Sequence, residues 1–502
     1  MISFQNLIVF NRDNDLPVFL QISNGMANLI KTGILAKGLR LPGTRALSES
    51  LNVHRKTVVA AYEELTSQGW IEVIPSKGTF VSSNLPIVSP KHLEDGQSWE
   101  EDRKRAGFDF YRKPGLKRAD HPLPEPLTLD EGVPDVRIAP VQEILRTYKS
   151  IVSRGYNRKY LSYGSAFGDG LLREVLAGYL QETRGMNVTA ANVLIVRGTQ
   201  MSMYLASQLT LKPGDKAIVG NSNYIAANMT LEETGASLIR VPVDEQGIDT
   251  RAIEAACQKE AIKAVYVTSH HHHPTTVTLS AERRIHLVQL AEQYGFAILE
   301  DDYDYDFHYE NAPLLPLASA DHNRHVVYMG AFCKIVAPAY RIGYLVAAED
   351  FVEEASYLRR IIDRQGDSVL ERALAQMIQQ GDFQRHSKKA LKLYTERRDH
   401  FCELLRRELG EYLSFTPPEG GMAVWVALRP DVSWEVVTQH CLKHNLHIPD
   451  WKNYDQQGLK HNCIRMGFAS LNFEEQTRVV EILKKAMDLA SNQQRSQRLM
   501  LA

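Results

Sequence analysis

The side chains with the most chemistry to offer lie between residues 301 and 341. Lys334 stands in HVVYMGAFCKIVAPAYRIGYLVA, just past an apolar run, with Arg341 seven residues later. Thirty-three residues before the lysine, FAILEDDYDYDF sets Asp301 and Tyr303 at the carboxyl end of another apolar run. A lysine amine condenses with an aldehyde cofactor, and a carboxylate keeps a pyridine nitrogen protonated. An arginine and the backbone N–H groups of a helix start bind phosphate, and RGTQMSMYLASQL (197–209) supplies such a start at Gly198-Thr199. In open α/β sheets, ligands sit beyond the carboxyl ends of the strands, so these groups can converge in one crevice.

Two neighbouring clusters invite other readings. Glu300, Asp301, Asp302, Asp304 and Asp306 suggest a divalent-metal site. The expectation is instead that Asp301 is buried for a cofactor and most of the others are exposed loop carboxylates. His270–His273 could bind zinc, copper or nickel. Adjacent side chains on an extended segment point to opposite faces, so a loop at the cleft edge is expected and no metal site. A lone lysine near an arginine is ordinarily a surface pair. Asp301, Arg341 and the Gly198-Thr199 turn, found together with it, lift Lys334 above that reading.

A second kind of chemistry sits near the amino terminus. PVFLQISNGMANLIKTG has apolar residues at helical spacing, LPGTRALSESL starts a second helix after Gly38, and VHRKTVVAAYEELTSQGW gives a third. Val53, Val58, Ala61, Tyr62 and Leu65 would face a core, which leaves His54, Arg55, Lys56 and Thr57 exposed at the helix start. A recognition helix presents base-reading side chains in this way. The hairpin WIEVIPSKGTFV then supplies a wing with Lys77-Gly78 at its tip. Residues 1–85 carry eight Lys/Arg against six Asp/Glu, too small an excess to argue DNA binding without the motifs.

These groups need elements to hold them. The chain has 502 residues, too many for one ordinary core. Its 44% hydrophobic and 24% charged content is that of a soluble globular protein, and the net charge of -2 excludes a chain basic throughout. Five scattered cysteines without a CxxC pair argue against a disulfide framework or zinc site and for a reducing compartment. No apolar run approaches the ~20 residues that span a bilayer, and the amino terminus lacks the layout of a secretory signal, so a cytoplasmic location is expected. Residues 1–84 read as a winged helix-turn-helix. Residues 85–128, with the charge-rich 100–105 and HPLPEP at 121–126, read as an extended or disordered linker. Over 129–490, helical patterns alternate with VLIV, KAIVG, AVYVT, FAILE, HVVYMG and YLVA, which predicts βαβ units and a mostly parallel sheet. GMAVWVAL and NCIRMGFA predict strands of a smaller α+β subdomain, and 491–502 reads as a frayed tail.

The amino-terminal part resembles the GntR family of winged regulators. The resemblance rests on LPGTR (41–45), VHRKTVVAAYEEL (53–65), GW (69–70) and KGTFV (77–81). It implies that Arg45, His54, Arg55, Lys56, Thr57, Lys77 and Gly78 contact DNA. Arginine can fork onto guanine, while lysine and backbone N–H groups hold phosphates. The family usually has Ser where His54 stands.

The remainder is similar to fold-type-I aminotransferases, and the whole chain resembles the MocR/GabR subfamily of GntR regulators. That match runs from GVPDVRIAP (132–140) through YGSAFGDGLLREVLAGYLQETRG (163–185) to IRMGFAS (464–470). It implies pyridoxal 5'-phosphate held as a Schiff base on Lys334. Asp301 would pair the pyridine nitrogen, Tyr303 the phenolic oxygen, and Tyr224 would stack on the ring. Gly198, Thr199 and Arg341 would bind the phosphate, and Arg465 an effector carboxylate. The chain departs from the subfamily pattern at three places, and from active aminotransferases at a fourth where the subfamily usually departs as well. Ala331-Phe332-Cys333-Lys334 replaces Thr-Phe-Ser-Lys, which loses two phosphate donors. Asn221-Ser222-Asn223-Tyr224 replaces acidic-Pro-Gly-Tyr, and Ala139 stands for Phe. His273 precedes Pro274-Thr275-Thr276 where active aminotransferases place Asn, an exchange that weakens turnover more than binding.

The resemblance implies a homodimer with two winged heads on paired half-sites, responding to a small amino compound or to the cofactor itself. Such a chain is not expected to be a working enzyme, though a residual transaminase half-reaction fits it. The alternative is an active aminotransferase with an appended reader, for which GGMAVW (420–425) speaks. A third class is a DNA-binding scaffold that has lost the cofactor, in keeping with Ala331 and Cys333.

Overall fold

A computed structural model describes residues 3–86, 104, 106, 108–116, 127–310, 314–322, 324–454 and 461–501. Most of the linker expected at 85–128, including HPLPEP, lies outside the described residues. The chain divides into two compact units, Met1–Arg112 and Lys113–Ala502.

In the first unit, helices Phe4–Leu7, Val18–Lys31, Thr44–Leu51 and Arg55–Ser67 precede a hairpin of β1 (Ile71–Ile74) and β2 (Gly78–Val81). Each longer helix buries one stripe. Val18–Lys31 contributes Ile22, Met26, Leu29 and Ile30, and Arg55–Ser67 contributes Val58, Ala61, Tyr62 and Leu65. This is the three-to-four-residue spacing of an amphipathic helix. Asn52 closes the helix Thr44–Leu51 in the left-handed region (φ 51°), which Asn tolerates better than most residues. The tight turn that follows leads directly into the helix Arg55–Ser67.

The second unit opens with β3 (Leu127–Thr128). A large sheet follows: β4 (Val193–Val196), β5 (Lys216–Asn221), β6 (Ser237–Asp244), β7 (Gly247–Ile248), β8 (Ile262–Val267), β9 (Ala297–Asp302), β10 (Val326–Ala331) and β11 (Gly343–Val346). The last strands are β12 (Leu413–Phe415), β13 (Ala423–Leu428), β14 (Leu446–His447) and β15 (Cys463–Gly467). The large sheet runs in the order β4-β11-β10-β9-β8-β5-β6-β7, with β10, β9, β8, β5 and β6 parallel and β4, β11 and β7 pairing antiparallel. Its strands are apolar on both faces because helices cover both. Val265 and Val267 point into one buried cluster while Tyr266 between them points into the other. The smaller subdomain is an antiparallel β12-β13-β15 sheet packed with the long helices Asp382–Leu409 and Phe473–Leu501.

Two elements differ from expectation. SLIRVPVD forms β6, a strand near the sheet edge with mixed burial, so its proline and polar residues conceal it. The tail continues the final helix to Leu501 rather than fraying. Residues 473–501 contain neither Gly nor Pro and are rich in good helix formers.

Candidate cofactor site and DNA-reading surface

The carboxyl ends of five strands supply the site. β9 ends in Asp301 and Asp302, β10 is followed by Lys334, and β8 by His270–His273. Past β4 come Gly198 and the helix Thr199–Thr210, and past β5 comes Tyr224, the cap of the helix Ile225–Glu232.

Asp301 is 3% exposed, and Tyr266 of β8 donates to its Oδ2 at 2.9 Å. Its Oδ1 is buried without a hydrogen-bond partner. Burial, with Asp302 and Asp304 nearby, pushes its carboxyl up to about 7, against the pull of Tyr266 and Lys334. Lys334 is half-buried, donates to the Gly132 carbonyl, and lies 5.9 Å from the centre of the Tyr303 ring. Burial lowers its amine from the ordinary lysine value, with Asp304 and Asp130 opposing. The Tyr303 hydroxyl donates to the His271 carbonyl at 2.9 Å and accepts from Arg465 at 3.3 Å.

Gly198 and Arg341, expected at a phosphate, form a tight cradle. Gly198 has φ +79°, and a Cβ there would lie 3.0–3.3 Å from the Arg341 guanidinium. Arg341 also donates to the Arg197 carbonyl at 3.0 Å. Gly198 caps a twelve-residue helix, so free N–H groups, Thr199 and a guanidinium face one spot. Ala331 and Cys333 add no hydroxyl there. A buried unpaired carboxylate oxygen, a half-buried lysine of lowered basicity and a glycine–arginine cradle fit the three ends of a phosphorylated pyridine aldehyde.

Arg465 is 1% exposed and held by main-chain acceptors. Its Nε donates to the Glu131 carbonyl at 2.8 Å and an Nη to the Pro274 carbonyl at 3.0 Å. Residues 130–133 therefore form a strap tied to Lys334 and Arg465 and pinned by Asp130, whose Oδ1 accepts from Gly132 and Val133 N–H at 2.7 Å. Glu131 also accepts from the Tyr454 hydroxyl. Tyr224 packs edge-on against His273, with ring centres 4.8 Å apart.

The acidic run is not a set of exposed loop carboxylates. Glu300, Asp302 and Asp304 are as buried as Asp301, because each finds donors that the sequence places far away. Glu300 accepts from Ser269 and from Leu317 and Ala318 N–H. Asp302 lies 3.1 Å from His270 and accepts from Tyr328 at 2.6 Å. Burial raises Asp302, but His270, Arg184 and Tyr328 outweigh it and hold the carboxyl down at about 2. Asp304 pairs with His271 at 2.8 Å, and Asp306 with Arg184 at 2.9 Å. The histidines stand in a loop after β8, and His270, His271 and His272 are buried. Burial, and then Arg465, push His272 down to about 3. Among the described residues, no three or more His, Cys, Asp or Glu side chains are grouped to hold a metal ion.

On the first unit, His54 caps the helix Arg55–Ser67, its Nδ1 accepting from Lys56 N–H at 3.2 Å. It thereby fills the capping role of the serine it replaces. Arg55 reaches Thr44 Oγ1 at 3.4 Å, Arg45 pairs loosely with Glu49 at 3.5 Å, and Lys56 is exposed. Thr57 is half-buried. Lys77 is exposed in the turn between β1 and β2, and Gly78 begins β2 with φ +117°. Arg40 was missed by the sequence reading. It bridges to Phe80 and lays its guanidinium 3.4 Å from where a Gly78 Cβ would stand.

Comparison with known proteins agrees with this division. Residues 124–483 match the family model "Aminotransferase class I and II", and residues 20–81 match "Bacterial regulatory proteins, gntR family". The chain is 28% identical to the "Probable rhizopine catabolism regulatory protein MocR" of Rhizobium meliloti, over 85% of this chain and 86% of that protein. It is 26% identical to the uncharacterized HTH-type transcriptional regulator YdfD of Bacillus subtilis (strain 168), over 95% and 98%. Among solved structures, the multiple substrate aminotransferase of Thermococcus profundus superposes with a TM-score of 0.70 at 25% identity, covering 76% of this chain and 98% of that one.

Proposed function

The chain belongs to the class I and II aminotransferase family, with a gntR-family reader ahead of that domain, and from this premise we propose a pyridoxal-phosphate-dependent regulator. At the coarser level it is a MocR-like helix-turn-helix transcriptional regulator with an aminotransferase domain. The finer reading is that the second unit senses an amino compound, or the cofactor itself, and passes the signal to the reader. What carries it is the meeting of Lys334, the unpaired Asp301 oxygen and the Gly198–Arg341 cradle at the carboxyl ends of the sheet's strands.

When bound, the cofactor would supply an aldehyde for amines and a cationic ring that withdraws electrons. Lys334 would hold it covalently, and its lowered basicity favours the neutral, nucleophilic amine. Asp301 would carry the charge opposite the pyridine nitrogen, Tyr303 would face the phenolic oxygen, and Tyr224 would cover the ring with His273 behind it. Thr199 and Arg341 would take the phosphate, and Arg465 the carboxylate of an amino acid after leaving its carbonyl partners. Arg45, His54, Arg55, Lys56, Thr57, Lys77 and Gly78 would face DNA. A homodimer on paired half-sites in the cytoplasm completes the reading. No helix among the described residues is long and apolar enough to cross a membrane.

The test uses the full chain. Incubation with pyridoxal phosphate and borohydride should leave a pyridoxyl mass on the Lys334 peptide, and Lys334→Ala should remove it. Operator binding should then change with an amine that the cofactor captures. A pyridoxyl group on another peptide refutes the site. Sustained amino transfer at ordinary enzyme rates would put the aminotransferase reading first.

A further inference from the structure

Tyr266 takes no part in the reading above. It sits mid-strand in AVYVT, where an aromatic among β-branched residues reads as core packing. The ring is 1% exposed and shares a buried cluster with Leu299 and Met329. Its hydroxyl has a different task. In that apolar layer an unpaired hydroxyl would cost about 1–3 kcal/mol, and the partner it finds is Asp301 Oδ2, at 2.9 Å.

The register explains the reach. Tyr266 stands opposite Leu299 in the parallel β8–β9 pair, and Asp301 is two residues further along the same face. A tyrosine is long enough to span that diagonal. On the opposite face, Tyr328 of β10 holds Asp302 in the same manner at 2.6 Å. Each of two successive aspartates is thus gripped by a tyrosine from a flanking strand. Asp302 has His270 beside it as well. Asp301 has one oxygen tied and one, Oδ1, buried and unpaired.

We infer that Tyr266 is a positioning residue for the cofactor: its hydrogen bond fixes the Asp301 carboxylate so that the free oxygen meets the pyridine nitrogen as an acceptor. The inference rests on the cofactor reading proposed above. The charges around Asp301 show why a donor is needed there. Burial, Asp302 and Asp304 all favour the protonated acid, and Tyr266 and Lys334 oppose them. Burial, then Asp301, Tyr224 and Tyr303 all raise the Tyr266 hydroxyl, so it stays a neutral donor. Without Tyr266, one of the two groups that hold Asp301 down is gone, and the carboxylate would support a cationic ring less well.

The experiment compares the full-length chain with Tyr266→Phe, Asp301→Asn and the double variant, each loaded with pyridoxal phosphate. Tyr266→Phe should keep its fold, judged by an unchanged cofactor-free melting profile, and still carry the borohydride-fixed pyridoxyl group on the Lys334 peptide. Its affinity for the cofactor should fall about tenfold, the equivalent of ~1.4 kcal/mol. The pH at which the visible band of the bound cofactor bleaches should rise by about one unit, because an uncharged ring withdraws less from the lysine-bound nitrogen. In the Asp301→Asn background, removing the Tyr266 hydroxyl should change affinity less than about twofold. An unmoved pH titration, or the same tenfold loss without Asp301, overturns the inference while leaving the cofactor reading intact. A wild-type chain that takes up no pyridoxal phosphate overturns both.

Discussion

The two units keep their ionisable side chains in opposite surroundings. In the reader, Arg45, Lys56 and Lys77 stand in water, and Arg45 has only a loose, exposed carboxylate at 3.5 Å. In the aminotransferase domain, Arg184, Asp301, Asp302, Asp304 and His270–His272 are buried and each holds a buried or half-buried partner, with His270–Asp302 and His271–Asp304 paired directly. An exposed cation is available to a polyanion at almost no cost in fold stability. A buried array is costly to assemble and rigid once assembled, which suits a site that must present a carboxylate and an amine to one small ring. The contrast is between a surface that draws its binding energy from a partner and a pocket whose geometry is fixed beforehand.

The strongest way to break this contrast is Arg184→Ala. Arg184 is 2% exposed, donates to Tyr328 at 2.9 Å and pairs with Asp306 at 2.9 Å. Its loss takes the cation from half-buried Asp306 and a donor from Tyr328 and empties a buried site, and should destabilise the aminotransferase domain by about 3–5 kcal/mol. Calorimetry should show that transition move while the reader's stays. In the reader, Arg55→Ala should leave melting unchanged and cost about 1–3 kcal/mol of binding at one base position. Equal losses on operator and random DNA would deny it a base contact.

A pH scan sharpens the comparison further. His272, ordinarily near 6.5, is depressed to about 3 by burial, so between those values the unfolded chain binds the proton first. Stability from this residue is complete above the unfolded value and falls as the medium is acidified, by about 1.4 kcal/mol per pH unit. Thermal unfolding at pH 6.5 and 5.5 should therefore show a smaller acid loss in His272→Gln than in the wild type. The smallest effect belongs to Lys77→Ala. The fold should be unmoved, and the slope of log affinity against log salt should become shallower by about one.

The sequence shows the elements better than it shows their partners. VLIV, KAIVG, AVYVT, FAILE, HVVYMG and YLVA all lie on strands, because doubly covered strands advertise themselves as apolar runs. The reader's helices and hairpin are legible for a similar reason, since each repeats an apolar stripe bounded by Gly or Asn. Lys334, Asp301, Gly198 and Arg341 stand out by type and position, whereas the cofactor role proposed for them, and Tyr303 altogether, come from the family resemblance. What stays hidden is pairing across long sequence gaps. Nothing in EDDYDYD reveals that Tyr328, Arg184 and two histidines wait for its acids, so solvent exposure was the natural expectation for most of them. Tyr266 is hidden in the same way, as a polar tip on an apolar body. Arg40 and the capping role of His54 were missed because each depends on a fold-back that no periodicity records.

On the proposed reading, the strap at 130–133 would be a competitor built into the chain's own backbone. The Gly132 and Glu131 carbonyls accept from Lys334 and Arg465, the two groups that a carboxylate-bearing amine would then need, so strap and ligand would exclude each other at both ends. The observed dissociation constant is then the intrinsic one divided by the fraction of molecules with the strap released. Release in about 1% of molecules weakens apparent affinity about a hundredfold. Sensitivity can therefore be retuned, without altering any residue that touches the ligand, through Tyr454, Asp130 or any other group that sets how often the strap lets go.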